Sequence, residues 1–163
     1  MVTTGSEERD CICSPKAVHH YINKISGPLL DRIDIQLEVQ RLKYENIMQG
    51  KDTENSENIK TRVNIARNMQ RERYKNDGIY SNSELTPKLT KKYCKLTSNA
   101  ENILKIAYQR LGLSARGYSK ILKVARTIAD LEGKEQIKEE HIAEAIQYRN
   151  LDKKYWNSGS DVK

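Results

Sequence analysis

Apolar residues in the C-terminal half of the chain recur at helical spacing. Between residues 98 and 151, three segments place apolar positions three or four residues apart, which is typical of amphipathic helices packed on one another. Ser98 and Glu101 form a capping-box pattern ahead of the first segment, and Ser114 can cap the second, which runs to about Leu131. The third runs from about Lys138. The pattern predicts a three-helix bundle.

The N-terminal half has shorter and more varied patterns. Ser14 and Pro15 are typical of a helix start and predict a helix to about Lys24. Residues 33–39 alternate polar and apolar with period two, as a half-buried strand does. Ser56 can cap a long helix to about Lys75, and residues 87–93 suit a short one. The predicted fold class is therefore mainly α, with one strand.

Composition narrows the class of protein. The chain has 163 residues, of which 37% are hydrophobic, and its mean hydropathy is −0.81. These values suit one lean domain. The sequence contains no apolar run of the roughly 20 residues needed to cross a bilayer. It also does not open on a signal-peptide pattern. We expect a cytoplasmic protein without membrane contact.

The three cysteines leave two alternatives open. Cys11 and Cys13 form a Cys-x-Cys pair that could be half of a zinc site, but Cys94 and the three histidines do not complete a known ligand spacing. Reduced thiols and no bound metal are therefore the favoured state. A zinc-dependent fold built on Cys11 and Cys13 is the alternative.

The net charge of +7, with a pI near 9.2, is concentrated in one segment. Residues 51–110 hold thirteen basic and seven acidic side chains, so contact with a polyanion is expected there first. Four basic side chains and one asparagine share one row of the predicted long helix: Lys60, Asn64, Arg67, Arg71 and Lys75. Such a row is either a solvated face or a surface for phosphates.

Two arginines stand at the ends of predicted elements. Arg32 lies between the Gly27-Pro28 turn and the predicted strand, where a scaffold can present a functional side chain. Arg116 follows Ser114 in the first turn of a helix, where the dipole opposes a cation and favours an anion. A phosphate at that helix end would explain Arg116. The alternatives are a surface arginine at 32 and a solvated one at 116.

The motifs around both arginines resemble a known family. ISGPLLDRIDIQLEV, followed about 75 residues later by LGLSARGYSKILKVARTIADLEG, is similar to the C-terminal part of the magnesium-chelatase-related AAA+ ATPases known as the YifB or ComM family. The resemblance covers residues 11–155. It implies that Arg32 is an arginine finger, which reaches a neighbouring subunit's nucleotide. It also implies that Arg116 is the sensor-2 arginine, which touches the nucleotide of its own subunit.

The resemblance also implies a division of the chain. We expect a disordered start at 1–10, the end of an α/β AAA+ core with one helix and one strand at 11–50, and a basic helical connector at 51–97. A helical lid at 98–155 and a frayed tail at 156–163 would follow. The lid would be the predicted three-helix bundle.

The sequence contains neither G-x-x-x-x-G-K-[ST] nor four apolar residues leading into Asp-Glu, the Walker A and Walker B motifs that hold phosphates and Mg²⁺. We therefore expect the C-terminal part of a longer ATPase, inactive alone and without bound ATP or Mg²⁺. In the longer protein it would serve a ring of six subunits that processes DNA. The alternative is a stand-alone helical module that binds nucleic acid through Lys60, Arg67, Arg71 and Lys75.

Overall fold

The computed structural model describes residues 13–22, 24–39, 44, 48 and 54–149. Seven helices span defined ranges within this part of the chain: α1 Pro15–Ile22, α2 Gly27–Leu30, α3 Ser56–Tyr74, α4 Pro87–Tyr93, α5 Ser98–Leu111, α6 Ala115–Leu131 and α7 Glu139–Gln147. A short 3₁₀ turn spans Asn82–Glu84. The mainly α class is confirmed. The predicted start at 1–10, Cys11 and the tail at 156–163 lie outside the described residues.

The predicted strand at 33–39 is wrong. The described residues contain no strand, and the β pairing found there is an isolated bridge between Leu96 and Ile137. Strands need a neighbouring strand to be stable. A single backbone hydrogen bond, from Gln36 N to Tyr148 O at 2.9 Å, ties this stretch to a helix end instead. We call residues 31–39 the Arg32 segment.

Two helix caps lie one residue earlier than predicted. The Asn55 side chain, not Ser56, caps α3 by accepting a hydrogen bond from the Asn58 backbone N–H at 2.8 Å. Thr97, not Ser98, caps α5. In both cases the earlier residue has the extended backbone that lets its side chain reach the helix N–H groups. Ser114 caps α6 as predicted, accepting from Gly117 N at 2.9 Å.

The core lies where α5, α6 and α7 pack together, as predicted for the three-helix bundle. Its fully buried side chains include Leu104, Ile121 and Ile142. The end of α3 joins the same core through Tyr74, which is 0% exposed. Ile59 and Val63, near the start of α3, remain exposed, so only the second half of that helix packs on the bundle.

A buried polar network joins α3, the 3₁₀ turn and α6. The fully buried carboxylate of Asp130 accepts hydrogen bonds from four side chains: Gln70, Arg73, Asn82 and Arg126. Burial alone would lower the pKa of Arg73, but its hydrogen bonds to Asp130 and Tyr74 outweigh burial and raise that pKa. Buried charges are retained when they are paired in this way, so the network fixes α3 against the bundle.

Within the described residues, none of the helices combines the length and the apolar character needed to cross a membrane.

Candidate functional site

A cavity of about 690 Å³ lies between the Arg32 segment and α6. Four basic side chains line it, and they are Arg32, Arg116, Lys120 and Lys123. Apolar side chains line it as well, and they include Ile35, Leu37, Val124, Ile128 and Leu131. The structure therefore brings Arg32 and Arg116, which are 84 positions apart in the sequence, to one cavity.

Helix geometry explains three of the four basic positions. Arg116, Lys120 and Lys123 are spaced four and three residues apart, so they share one face of α6. The Ser114 cap fixes where this helix begins and therefore where Arg116 stands. Because all three are cations within two turns, the cavity favours an anion.

Lys120 fastens the Arg32 segment to α6. Its ammonium group donates a hydrogen bond to the backbone carbonyl of Arg32 and forms an ion pair with Asp34 Oδ1 at 2.8 Å. The Lys120 side chain is only 14% exposed, so these contacts stay partly shielded from water. Arg149, after α7, donates from Nη1 to the carbonyl of Ile33 at 2.8 Å. The backbone that carries Arg32 is thus held by two cations of the bundle.

Asp31 is a site residue that the sequence-based prediction did not assign. Its carboxylate accepts a hydrogen bond from Ser114 Oγ at 3.2 Å and lies 3.6 Å from both the Arg116 and the Arg149 guanidinium nitrogens. The unusual Asp31-Arg32 pair ahead of an apolar alternation was the available signal. Asp31 binds the start of α6, whereas Arg32 faces the cavity.

The Arg32 side chain is exposed. Its backbone carbonyl is occupied by Lys120, but within the described ranges no ion pair to the Arg32 guanidinium is found. Arg116 is also largely exposed, at 60%, and its counter-ion is Asp31. Both guanidinium groups are therefore available to a ligand.

The predicted nucleic-acid residues lie elsewhere. Lys60, Arg67 and Arg71 are exposed on α3, Lys75 is exposed directly after it, and none of the four lines the cavity of Arg32. Lys75 forms an ion pair with Glu72 at 3.4 Å. Arg67 borders a second, smaller cavity of about 310 Å³. The smaller cavity adjoins the cavity of Arg32 and shares with it Asn82, Ser83, Thr127 and Leu131.

One cluster has the atoms of a metal site but is already engaged. Glu132, Glu140 and His141 place their ligand atoms within 4.8 Å of one another. Nδ1 of His141 accepts from the backbone N–H of Lys138 at 2.9 Å, and Nε2 lies 3.0 Å from Glu132 Oε2. Nδ1 therefore takes part in the cap of α7, and Nε2 links that cap to the end of α6, so both ring nitrogens are engaged in structural contacts.

Two family models match the chain. Residues 53–149 match the model described as "Magnesium chelatase, subunit ChlI C-terminal", and residues 2–47 match "Magnesium chelatase, subunit ChlI". The first match includes Arg116 and the second includes Arg32. Together they cover both arginines of the cavity.

Curated relatives agree with the family models. The chain is 40% identical over 149 residues to Competence protein ComM of Haemophilus influenzae, which is 91% of this chain and 28% of the relative. It is 37% identical over 142 residues to the protein YifB of Salmonella typhimurium, 86% of this chain and 27% of the relative. Rv2897c of Mycobacterium tuberculosis is 32% identical over 144 residues, which is 88% of this chain and 28% of the relative. The chain thus spans less than a third of the length of these relatives.

Proposed function

Because the chain belongs to the magnesium chelatase subunit ChlI family, matching its C-terminal region over residues 53–149, we propose that it supplies Arg32 and Arg116 to nucleotide phosphates in an AAA+ ATPase ring. The observation that supports this most is the shared cavity, in which both guanidinium groups stand beside Lys120 and Lys123. Guanidinium groups are permanently charged and bind phosphate oxygens in pairs.

The shared cavity favours a revised role for Arg116. The resemblance implies that Arg32 and Arg116 serve nucleotides of different subunits, but both line one cavity within this chain. An arginine finger crosses to a neighbour's nucleotide by definition. If Arg32 reaches the neighbouring subunit's nucleotide, Arg116, which lines the same cavity, reaches that nucleotide as well. We therefore assign both arginines to one nucleotide, held by the neighbouring subunit.

The chemistry requires positive charge where phosphoryl transfer develops negative charge. An arginine delivered to the transferred phosphoryl group in trans accelerates GTP hydrolysis by about 10³–10⁵-fold, which is roughly 4–7 kcal/mol of barrier. Arg32, exposed and without an ion pair among the described residues, is suited to this step. Arg116 then adds a second positive charge to the same phosphates. Because the donor and the nucleotide belong to different subunits, activity depends on a head-to-tail ring.

ATP and Mg²⁺ would be held mainly by residues that this sequence does not contain. The lining fits a phosphate through its four cations, but it does not fit Mg²⁺. Its carboxylates Asp34 and Glu144 are bonded to Lys120 and to the Tyr148 hydroxyl, at 2.8 Å each. We expect no ATP hydrolysis by this chain alone, because the Walker A and Walker B motifs are missing.

A titration with sodium tripolyphosphate tests the phosphate site directly. Calorimetry on the chain should give a dissociation constant of about 1 mM, equivalent to roughly 4 kcal/mol of binding free energy. Arg32→Ala and Arg116→Ala should each weaken binding about threefold or more. Arg71→Ala removes an exposed arginine of α3 that lines neither cavity and is the matched control. Equal effects of all three substitutions, or the lack of any binding, would contradict the proposed site.

The wider role is proposed from the relatives. One of them is named a competence protein, which supports a role in natural transformation. We propose that the longer protein forms a ring of six subunits in the cytoplasm and processes DNA there, including by branch migration. The excess of basic residues between 51 and 110 suits work near DNA. The ring would be formed by self-association of the longer protein.

A stand-alone nucleic-acid module is the second candidate, because Lys60, Arg67 and Arg71 are exposed on one row of α3. Fluorescence titration with duplex and single-stranded DNA at two salt concentrations separates the two functions. Tight binding with a steep salt dependence, lost on charge reversal of Arg67 and Arg71, would favour the module. Weak binding favours the ATPase component.

A further inference from the structure

The two arginines of the cavity differ in how they are held, and the difference centres on Asp31. Arg32 is exposed, and no ion pair to its guanidinium occurs in the described part of the chain. Arg116 faces Asp31, with Nη1 3.6 Å from Oδ2. The Asp31 carboxylate thus occupies, in this structure, the position of an anion at Arg116.

Arg149 also faces Asp31, but it is fixed in a way that Arg116 is not. The Arg149 side chain is 6% exposed and donates to the carbonyl of Ile33 at 2.8 Å. Arg116 is 60% exposed. Strong charge-assisted hydrogen bonds are about 2.7–2.9 Å long, so the 3.6 Å separation is a loose pair. Of the two arginines, Arg116 is the one that can turn away from Asp31.

The backbone around Asp31 would keep its position if Arg116 turned away, because Asp31 has other partners. Ser114 Oγ donates to Asp31 Oδ1 at 3.2 Å, and Arg149 stays beside the same oxygen. Lys120 holds the next residue through the carbonyl of Arg32. Loss of Arg116 therefore leaves the backbone around Arg32 in place.

We propose that Asp31 is a resident counter-ion that competes with phosphate for Arg116, so that Arg116 exchanges one anion for another when a phosphate enters the cavity. Arg32 has no ion pair to break among the described residues before a phosphate binds, whereas Arg116 must first leave Asp31. Asp31 acts through Arg116 and is a positioning residue. The inference rests on the proposed phosphate site, and it adds to that site a residue that lowers its affinity.

Tripolyphosphate titration of Asp31→Asn in the whole chain tests the competition. Asparagine keeps the oxygen that accepts from Ser114 but removes the competing charge, so affinity should rise about two- to fivefold, as expected for loss of a partly exposed ion pair. Glu144→Gln is the matched control, because Glu144 lines the same cavity and carries the same charge without contacting Arg116 in the structure.

A double variant shows whether the gain passes through Arg116. The rise caused by Asp31→Asn should disappear in an Arg116→Ala background. A rise equal to that of Glu144→Gln would overturn the inference, since it would be a general charge effect. A rise that persists without Arg116 would also overturn it. Binding that depends on Arg32 and Arg116 but ignores Asp31→Asn contradicts the inference alone. Wild-type binding that ignores both arginines contradicts the proposed function.

Discussion

The three-helix bundle and the Arg32 segment lie side by side but are held together in different ways. The bundle of α5, α6 and α7 buries its own apolar side chains, and α3 adds to that core. The Arg32 segment exposes its apolar residues: Ile35, Leu37 and Val39 are 49%, 66% and 90% exposed. Its position is set by polar contacts to Ser114, Lys120 and Arg149.

The difference shows where function can be placed on this chain. Burial of apolar area provides a rigid wall for the cavity, and the wall carries Arg116 and both lysines. The segment opposite is attached by charge and hydrogen bonds, which are individually weak when exposed. Arg32 thus stands on the part of the structure that a ligand or a neighbouring subunit can adjust most easily.

The largest expected effect is on the bundle, at its buried carboxylate. Asp130→Ala should destabilise the chain by about 3–5 kcal/mol, because it leaves Arg73 and Arg126 buried without their counter-ion. Urea unfolding followed by circular dichroism measures this loss. Asp34→Ala, which removes a mostly exposed carboxylate, should cost less than about 1 kcal/mol. Similar losses for the two variants would remove the distinction between the two regions.

A smaller and local effect is expected at the Arg32 segment. Trypsin cleaves after Arg32, and Lys120 donates to the carbonyl of that bond. Lys120→Met should therefore speed cleavage between Arg32 and Ile33 while changing the unfolding free energy by less than about 1 kcal/mol. Timed digestion with mass spectrometry locates the cut.

The control for this digestion lies one turn further along α6. Lys123→Met removes a lysine that donates to the carbonyl of Ser83 at 2.8 Å and does not contact the Arg32 segment. Cleavage after Arg32 should stay at the wild-type rate in this variant. Equal acceleration by both substitutions would mean that Lys120 does not hold the segment in particular.

The success of the sequence-based predictions follows the same division. Helices of the bundle were predictable because their apolar spacing is a local property of the sequence. The predicted caps, Ser56 and Ser98, were each one residue too late, because a serine directly follows each of the true caps, Asn55 and Thr97. The alternation at 33–39 predicted a strand, but a strand needs a pairing partner that the described residues do not provide.

The candidate site was predictable only in part for a similar reason. Arg32 and Arg116 were recognised from motifs, and their roles stay predictions. Both arginines line one cavity because of contacts between residues far apart in the sequence. Ser114 and Asp31 are separated by 83 positions, and Arg149 and Ile33 by 116. Sequence periodicity does not report contacts at that separation, so Asp31 and Lys120 could be assigned only from the structure.

Mixing two defective subunits tests the central claim, that Arg32 and Arg116 of one chain serve a neighbour's nucleotide. The experiment uses a chimera in which this chain replaces the aligned region of the Haemophilus influenzae relative. One pool carries Arg116→Ala, and the other lacks the lysine of the phosphate-binding loop that the proposed ATPase function requires in the relative's part of the chimera. Each pool alone should be nearly inactive in ATP hydrolysis.

A one-to-one mixture of the pools should regain ATP turnover. In randomly mixed head-to-tail rings, about a quarter of the interfaces combine an intact phosphate loop with an intact Arg116 from the adjacent subunit. The same recovery is expected with Arg32→Ala. Recovery with Arg32→Ala but none with Arg116→Ala would show that Arg116 serves its own subunit, and it would contradict the shared-nucleotide assignment.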